Sequence, residues 1–145
     1  MSRGFFISTD KAKLDLDIIE DFLSNRAYWA KGRNRTMIEK SIENSLCFGV
    51  YTSENQQVGF ARVVTDFAVF AWIMDLFIIE DFRKAGLGKL LMTEIINHSE
   101  LQGLKRWGLG TQDAHSLYEK FGFTKLSKPE NMMERIVSHT HLTSI

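Results

Sequence analysis

The sequence predicts an α/β fold in which a mixed sheet lies between helices on both faces. Three observations predict it. Apolar runs rich in aromatic and β-branched residues alternate with stripes of apolar residues at helical spacing. The resulting order is strand, two helices, a β meander, helix, strand, helix, strand, which is a layered arrangement. One run, Phe67 to Ile79, feeds a glycine-bearing turn and then a helix. Its return to a strand at Leu104 to Leu109 makes a parallel crossover, expected to be right-handed.

In chain order, Phe5 to Ser8 reads as a short first strand. Ile18, Ile19, Phe22 and Leu23 share one helical face, with Asp15 or Asp17 as N-cap. Thr36 and Glu39 form a capping-box pattern, so a second helix is expected from Thr36 to about Glu43. Leu46 to Tyr51 and Gln57 to Thr65 read as a hairpin around a polar turn, and Phe67 to Ile79 as the central strand. Leu87, Leu90, Leu91 and Ile95 make a stripe through to about His98. A last helix is expected over Asp113 to Lys120, closed by Gly122. Phe123 to Leu126 and, after Pro129, Met132 to Val137 read as strands, with a frayed tail from Ser138. No repeat, low-complexity stretch or boundary divides the chain, so residues 1–145 are expected to form one domain.

Composition narrows the function. The 145 residues are 44% hydrophobic, enough for a substantial core, and the 18 basic and 18 acidic side chains cancel. That balance gives no electrostatic case for nucleic acid or an anionic membrane. The apolar run from Phe67 to Met74 is too short to span a bilayer, and the first residues lack a signal-peptide core. The lone Cys47 excludes an internal disulfide, fits a cytoplasmic location, and lies in an apolar run where an inert thiol is the better reading. No Asp, Glu or Cys completes a metal set around His98, His115, His139 or His141, so no metal is expected.

The stretch Arg83-Lys84-Ala85-Gly86-Leu87-Gly88-Lys89 carries the first chemistry. A strand, a glycine-bearing turn and a helix start present several N–H groups without intrahelical partners, and the helix dipole adds positive charge there. Such a corner binds phosphate. The Walker A pattern fails at Arg83 and Leu90, and the dinucleotide fingerprint fails at Leu91. A plain surface turn remains the alternative for this stretch alone.

What does fit is Arg83-x-x-Gly86-x-Gly88, which resembles the pyrophosphate motif of the GNAT superfamily of N-acetyltransferases. The segment from Ala114 to Phe123, Ala-x-x-Leu-Tyr-x-x-x-Gly-Phe, resembles a second motif of that family in the expected order. Asp75-Leu76-Phe77-Ile78 looks like its central strand, so the resemblance covers essentially the whole chain. It implies a mixed, mostly antiparallel sheet flanked by helices, with acetyl-CoA as cosubstrate. It further implies that the backbone of Phe77, Ile78 and Ile79 pairs with pantetheine, and that the amides from Lys84 through Ala85, Gly86, Leu87 and Gly88 to Lys89 cradle the pyrophosphate, with Arg83 opening the turn. Tyr118 becomes the acid for the departing sulfur. Glu80 stands where the family often has proline, and Ala85 where a glycine or basic residue is common. Thr111 replaces a frequent asparagine, which weakens any side-chain contact of the cofactor there; Thr111 and Ala114 stay on the cofactor side.

The acceptor implied is a primary amine, of a small molecule or of a peptide or protein. A lysine-like amine with pKa near 10.4 is only about 0.04% neutral at pH 7, so it needs help to deprotonate. Asp75 is the nearest candidate, to bind the cation or relay its proton; alternatively it ties down donors at a strand bulge. Tyr28, Trp29, Arg33 and Arg35 lie where the family's first helices line the acceptor cleft, and loop packing by the aromatics is the other reading. A non-catalytic acyl-CoA-binding module of the same fold stays open, and an unrelated nucleotide-binding domain is disfavoured. A homodimer through the C-terminal strands is a family-level expectation.

Overall fold

In the computed structural model, residues 4–137 are described. Five strands, β1 (Phe5–Ser8), β2 (Leu46–Thr52), β3 (Gln57–Thr65), β4 (Phe70–Ile78) and β5 (Arg106–Leu109), form one sheet in the order β1-β2-β3-β4-β5. Every pairing is antiparallel except β4 with β5. This is the mixed, mostly antiparallel sheet expected.

Four α-helices accompany it: α1 (Leu16–Asn25), α2 (Arg35–Glu43), α3 (Leu87–Asn97) and α4 (His115–Glu119). Alternation along the strands divides the interior in two. Phe48, Val50, Ala61, Val63, Ala71 and Ile73 meet Leu87, Leu91, Met92 and Ile95 of α3. Cys47, Phe60 and Phe77 meet Ile19, Phe22 and Leu23 of α1 and Ile38 and Ile42 of α2. Phe22 and Phe77 stack with ring centres 4.1 Å apart. No helix among the described residues is long and apolar enough to cross a membrane.

Several boundaries moved, each for a local reason. Asp15 is the cap of α1, accepting from Asp17 and Ile18. The capping box at Thr36 does not form: Asn34 caps α2 by accepting from Met37 at 2.9 Å, and Glu39 turns back to Arg35. β4 starts at Phe70, not Phe67, because the Asp66 carboxylate accepts from the N–H groups of Ala68, Val69 and Phe70 and bends the chain. The strands expected at Phe123–Leu126 and Met132–Val137 are absent: no partner ladder reaches either stretch among the described residues. Phe123 instead packs its ring edge-on to Tyr118. The tail from Ser138 lies outside the described residues.

Candidate active site

The site begins where a pairing stops. β4 and β5 are in register only from Phe70 opposite Arg106 to Ile73 opposite Leu109. β5 ends there, while β4 runs on to Ile78. The gap is a cleft of about 490 Å³ lined by Tyr28, Trp29, Arg33, Trp72, Asp75 and Tyr118 among others. Gly108, the register partner of Trp72, leaves room for the Trp72 ring; a Cβ there would collide with it.

Beyond Ile73 the β4 edge toward β5 carries backbone groups without a strand partner. Ile79 donates its N–H to Val58 at 2.8 Å, and Phe77 faces Phe60 on β3. Alternate residues of a strand turn their backbone groups to opposite edges. Leu76 and Ile78 therefore present theirs to the open edge, where the Arg83 Nε donates to the Ile78 carbonyl at 3.0 Å. Of the three residues expected to pair with pantetheine, Ile78 turns its backbone to the open edge, whereas Phe77 and Ile79 turn theirs to β3. Leu76, outside those three, shares the open edge with Ile78.

The turn after β4 gathers backbone amides that have no partner among the described residues. Lys84 (φ 75°) and Gly86 (φ 76°) are both left-handed, and Gly86 is the N-cap of α3 without any side-chain cap. Leu90 is the first residue whose N–H returns to the turn, at the Gly86 carbonyl. The N–H groups of Leu87, Gly88 and Lys89 thus have no helical acceptor. A Cβ on Gly88 would reach only the Leu117 side chain, at ordinary contact distance. Alternating left- and right-handed residues converge N–H groups into a nest that suits a diphosphate. The residues present therefore fit the pyrophosphate arm of acetyl-CoA.

Tyr118, on α4, lines the same cleft and is 7% exposed. Burial, then the nearby Tyr28 and Asp113, push its phenol up to about 12. Thr111 lies in the cleft wall, but its hydroxyl accepts from the Ala114 N–H at 3.0 Å and so holds the turn into α4.

Asp75 is the least expected in its setting. Asp75 and Leu76 together stand opposite Ala61, a bulge in which Asp75 is left-handed at φ 56°. Aspartate is among the few side chains that tolerate this conformation. The bulge turns its carboxylate toward α1 and α2, where its side chain is 0% exposed. Three side chains donate to it: Trp29 Nε1 at 2.9 Å, Arg33 Nη1 at 2.6 Å and Arg62 Nε at 2.6 Å. Arg62 also engages Ser45 and the Met74 sulfur. Arg62 escaped the sequence reading, although an arginine inside an apolar strand demands a buried carboxylate. Tyr28, Trp29 and Arg33 reach the cleft; Arg35 does not, pairing on the surface with Asp17 and Glu20. Tyr28 also crosses the gap, its hydroxyl accepting from the Gln112 N–H at 2.9 Å. Cys47 is outside the cleft, and burial pushes its thiol up to about 11, far from a reactive thiolate.

An α/β sheet parts between β4 and β5 beside a turn of unpartnered amides, and comparison with known proteins gives the family. Residues 43–125 match the acetyltransferase (GNAT) domain family. A crystal structure of a protein assigned to the GNAT acetyltransferases, from Xanthomonas campestris pv. campestris, is 39% identical with a TM-score of 0.92, over 97% of this chain and 99% of that one. An acetyltransferase relative from Gibberella zeae is 29% identical, over 82% of this chain and 78% of its own length. The GCN5-related N-acetyltransferase 1, chloroplastic, of Arabidopsis thaliana is 27% identical, over 90% and 66% respectively. The chain belongs to the GNAT acetyltransferase family and is an acyltransferase.

Proposed function

We propose that the chain transfers an acetyl group from acetyl-CoA to a primary amine, of a small molecule or of a peptide or protein, by direct attack. The observation that carries this is an open β4 edge and a buried phenol in one cleft, with the uncapped α3 N-terminus beside it, where a Cβ on Gly88 would touch Leu117 of the cleft wall. Acetyl-CoA, when bound, supplies an activated acyl carbon and a thiolate leaving group. The amides from Lys84 to Lys89 hold its pyrophosphate, and the backbone of Leu76 and Ile78 extends the sheet onto its pantetheine arm. Arg83 opens the turn, and Thr111 and Ala114 bound the far wall.

Tyr118 is the hydrogen-bond donor to the departing sulfur. A phenol near 12 facing a thiol near 8.5 makes complete transfer uphill by about 5 kcal/mol. Tyr118 therefore works as a hydrogen-bond donor that stays protonated through the working pH range. Asp75 acts by position: with three donors on it, it fixes Trp29 and Arg33 in the cleft wall. The amine loses its proton to water.

Free-thiol release from acetyl-CoA over a panel of amines tests the reading. Turnover of at least one amine, slowed ~10²-fold by Tyr118→Phe, is expected. CoA binding without thiol release from any amine would favour a binding module instead, and displacement of CoA by ATP would favour a nucleotide site.

Two further proposals concern setting. A reducing cytoplasm suits the single buried Cys47. A homodimer through the C-terminal stretch is supported by the outer edge of β5, unpaired among the described residues, and by exposed Met133 and Ile136. Sedimentation at micromolar concentration returning only monomer would refute it.

A further inference from the structure

The buried cluster beneath the cleft is unbalanced. Arg33 and Arg62 carry two positive charges against the single carboxylate of Asp75. Each nitrogen of Arg62 is engaged, Nε on Asp75, Nη1 on Ser45 and Nη2 on Met74. Arg33 differs: among the described residues only its Nη1 is engaged, and its side chain is 17% exposed, into the cleft. Its backbone is held as well, the Ser24 hydroxyl donating to its carbonyl. A guanidinium fixed in place, with donors left over and its one carboxylate shared with a second arginine, suits a planar oxyanion. Around it stand the rings of Tyr28, Trp29 and Trp72. Asp113, exposed on the rim, adds a carboxylate that suits an approaching ammonium.

We propose that the acceptor is an amine carrying a carboxylate beside an aromatic or other apolar side chain, as in an aromatic α-amino acid, and that Arg33 binds that carboxylate. This rests on the acetyl-transfer reading for its setting, and the test separates the two.

The full-length protein is assayed by thiol release at saturating acetyl-CoA with tryptophan, its methyl ester, tryptamine and O-phosphoethanolamine. Because the ester's amine is the more easily deprotonated, preference for the free acid reports charge recognition and not basicity. The expected kcat/KM for tryptophan exceeds that for the ester and for tryptamine by ~10²-fold, and Arg33→Gln collapses this ratio to a few-fold. Arg33→Lys keeps the charge without the fork and is expected to fall between. Equal turnover of acid and ester by the wild type, which needs no variant to fold, overturns the proposal. So does a preference for the phosphoamine, or a carboxylate preference that survives Arg33→Gln. A second arm needs no turnover: calorimetry of N-acetyltryptophan against N-acetyltryptamine on CoA-loaded protein. Selective binding of the acid without thiol release from any amine supports the carboxylate site while defeating the transfer reading. Absence of both overturns the carboxylate site too.

Discussion

The two halves of β4 make an instructive comparison. From Ala71 to Ile73 the strand is paired on both edges; from Met74 to Ile78 it is paired with β3 alone. The first half buries Ala71 and Ile73 against the α3 side and contains no charge. The second half contains a left-handed residue, a buried carboxylate and an edge without a strand partner among the described residues. One strand thus serves as scaffold over one half and as binding surface over the other. Regular structure supplies stability, and its interruption supplies the site.

The contrast is broken most severely at Asp75. Asp75→Ala leaves Arg62 buried without its carboxylate, and a loss of ~3–5 kcal/mol in unfolding free energy is expected. Urea unfolding at unchanged m-value measures it, and Asp75→Asn, which tolerates the left-handed backbone, should lose less. By comparison Ile73→Val, in the doubly paired half, should cost ~1 kcal/mol and leave CoA affinity alone.

Tyr118→Phe comes next: kcat falls ~10²-fold while CoA affinity is retained. Because the phenol sits near 12, the wild-type rate should rise with pH as the amine deprotonates and show no fall from phenol ionisation below about pH 11. A falling limb near pH 9 that is absent in Tyr118→Phe would contradict this.

Gly86→Val follows, since a β-branched residue at φ 76° strains the turn by roughly 1–3 kcal/mol. CoA affinity measured by calorimetry should fall at least about tenfold.

The smallest effect is expected at Tyr51. Its hydroxyl is the buried side-chain polar atom without a partner among the described residues, so Tyr51→Phe should be neutral or stabilising by ~1 kcal/mol. Burial pushes this phenol up to about 12 as well. A folded-state value above the ordinary 10 means the stabilisation is intact below pH 10 and lost as pH rises toward 12. Tyr51→Phe should therefore flatten the decline of thermal stability over that window.

Much of the first half was legible from sequence, and less of the second. Apolar periodicity located β2, β3 and α3 to within a residue or two, because burial on regular elements leaves a regular pattern. Gly86 marked the left-handed turn into α3 by residue type alone. The bulge at Asp75 left no such mark: an aspartate in an apolar run signals something, but not which way it turns. Arg62 and Arg33 stand thirteen and forty-two residues from Asp75, and only the folded bulge joins them. The C-terminal strands were misread because Met132–Val137 carries a strand-like composition, whereas a strand also needs an edge to pair with.

Amide hydrogen exchange with and without CoA tests the central claim most directly. If the open half of β4 and the start of α3 hold the coenzyme, the N–H groups of Leu76, Ile78, Gly88 and Lys89 gain protection, while those of Ala71 and Ile73 do not change. Saturating CoA with those four amides exchanging as before would contradict the account.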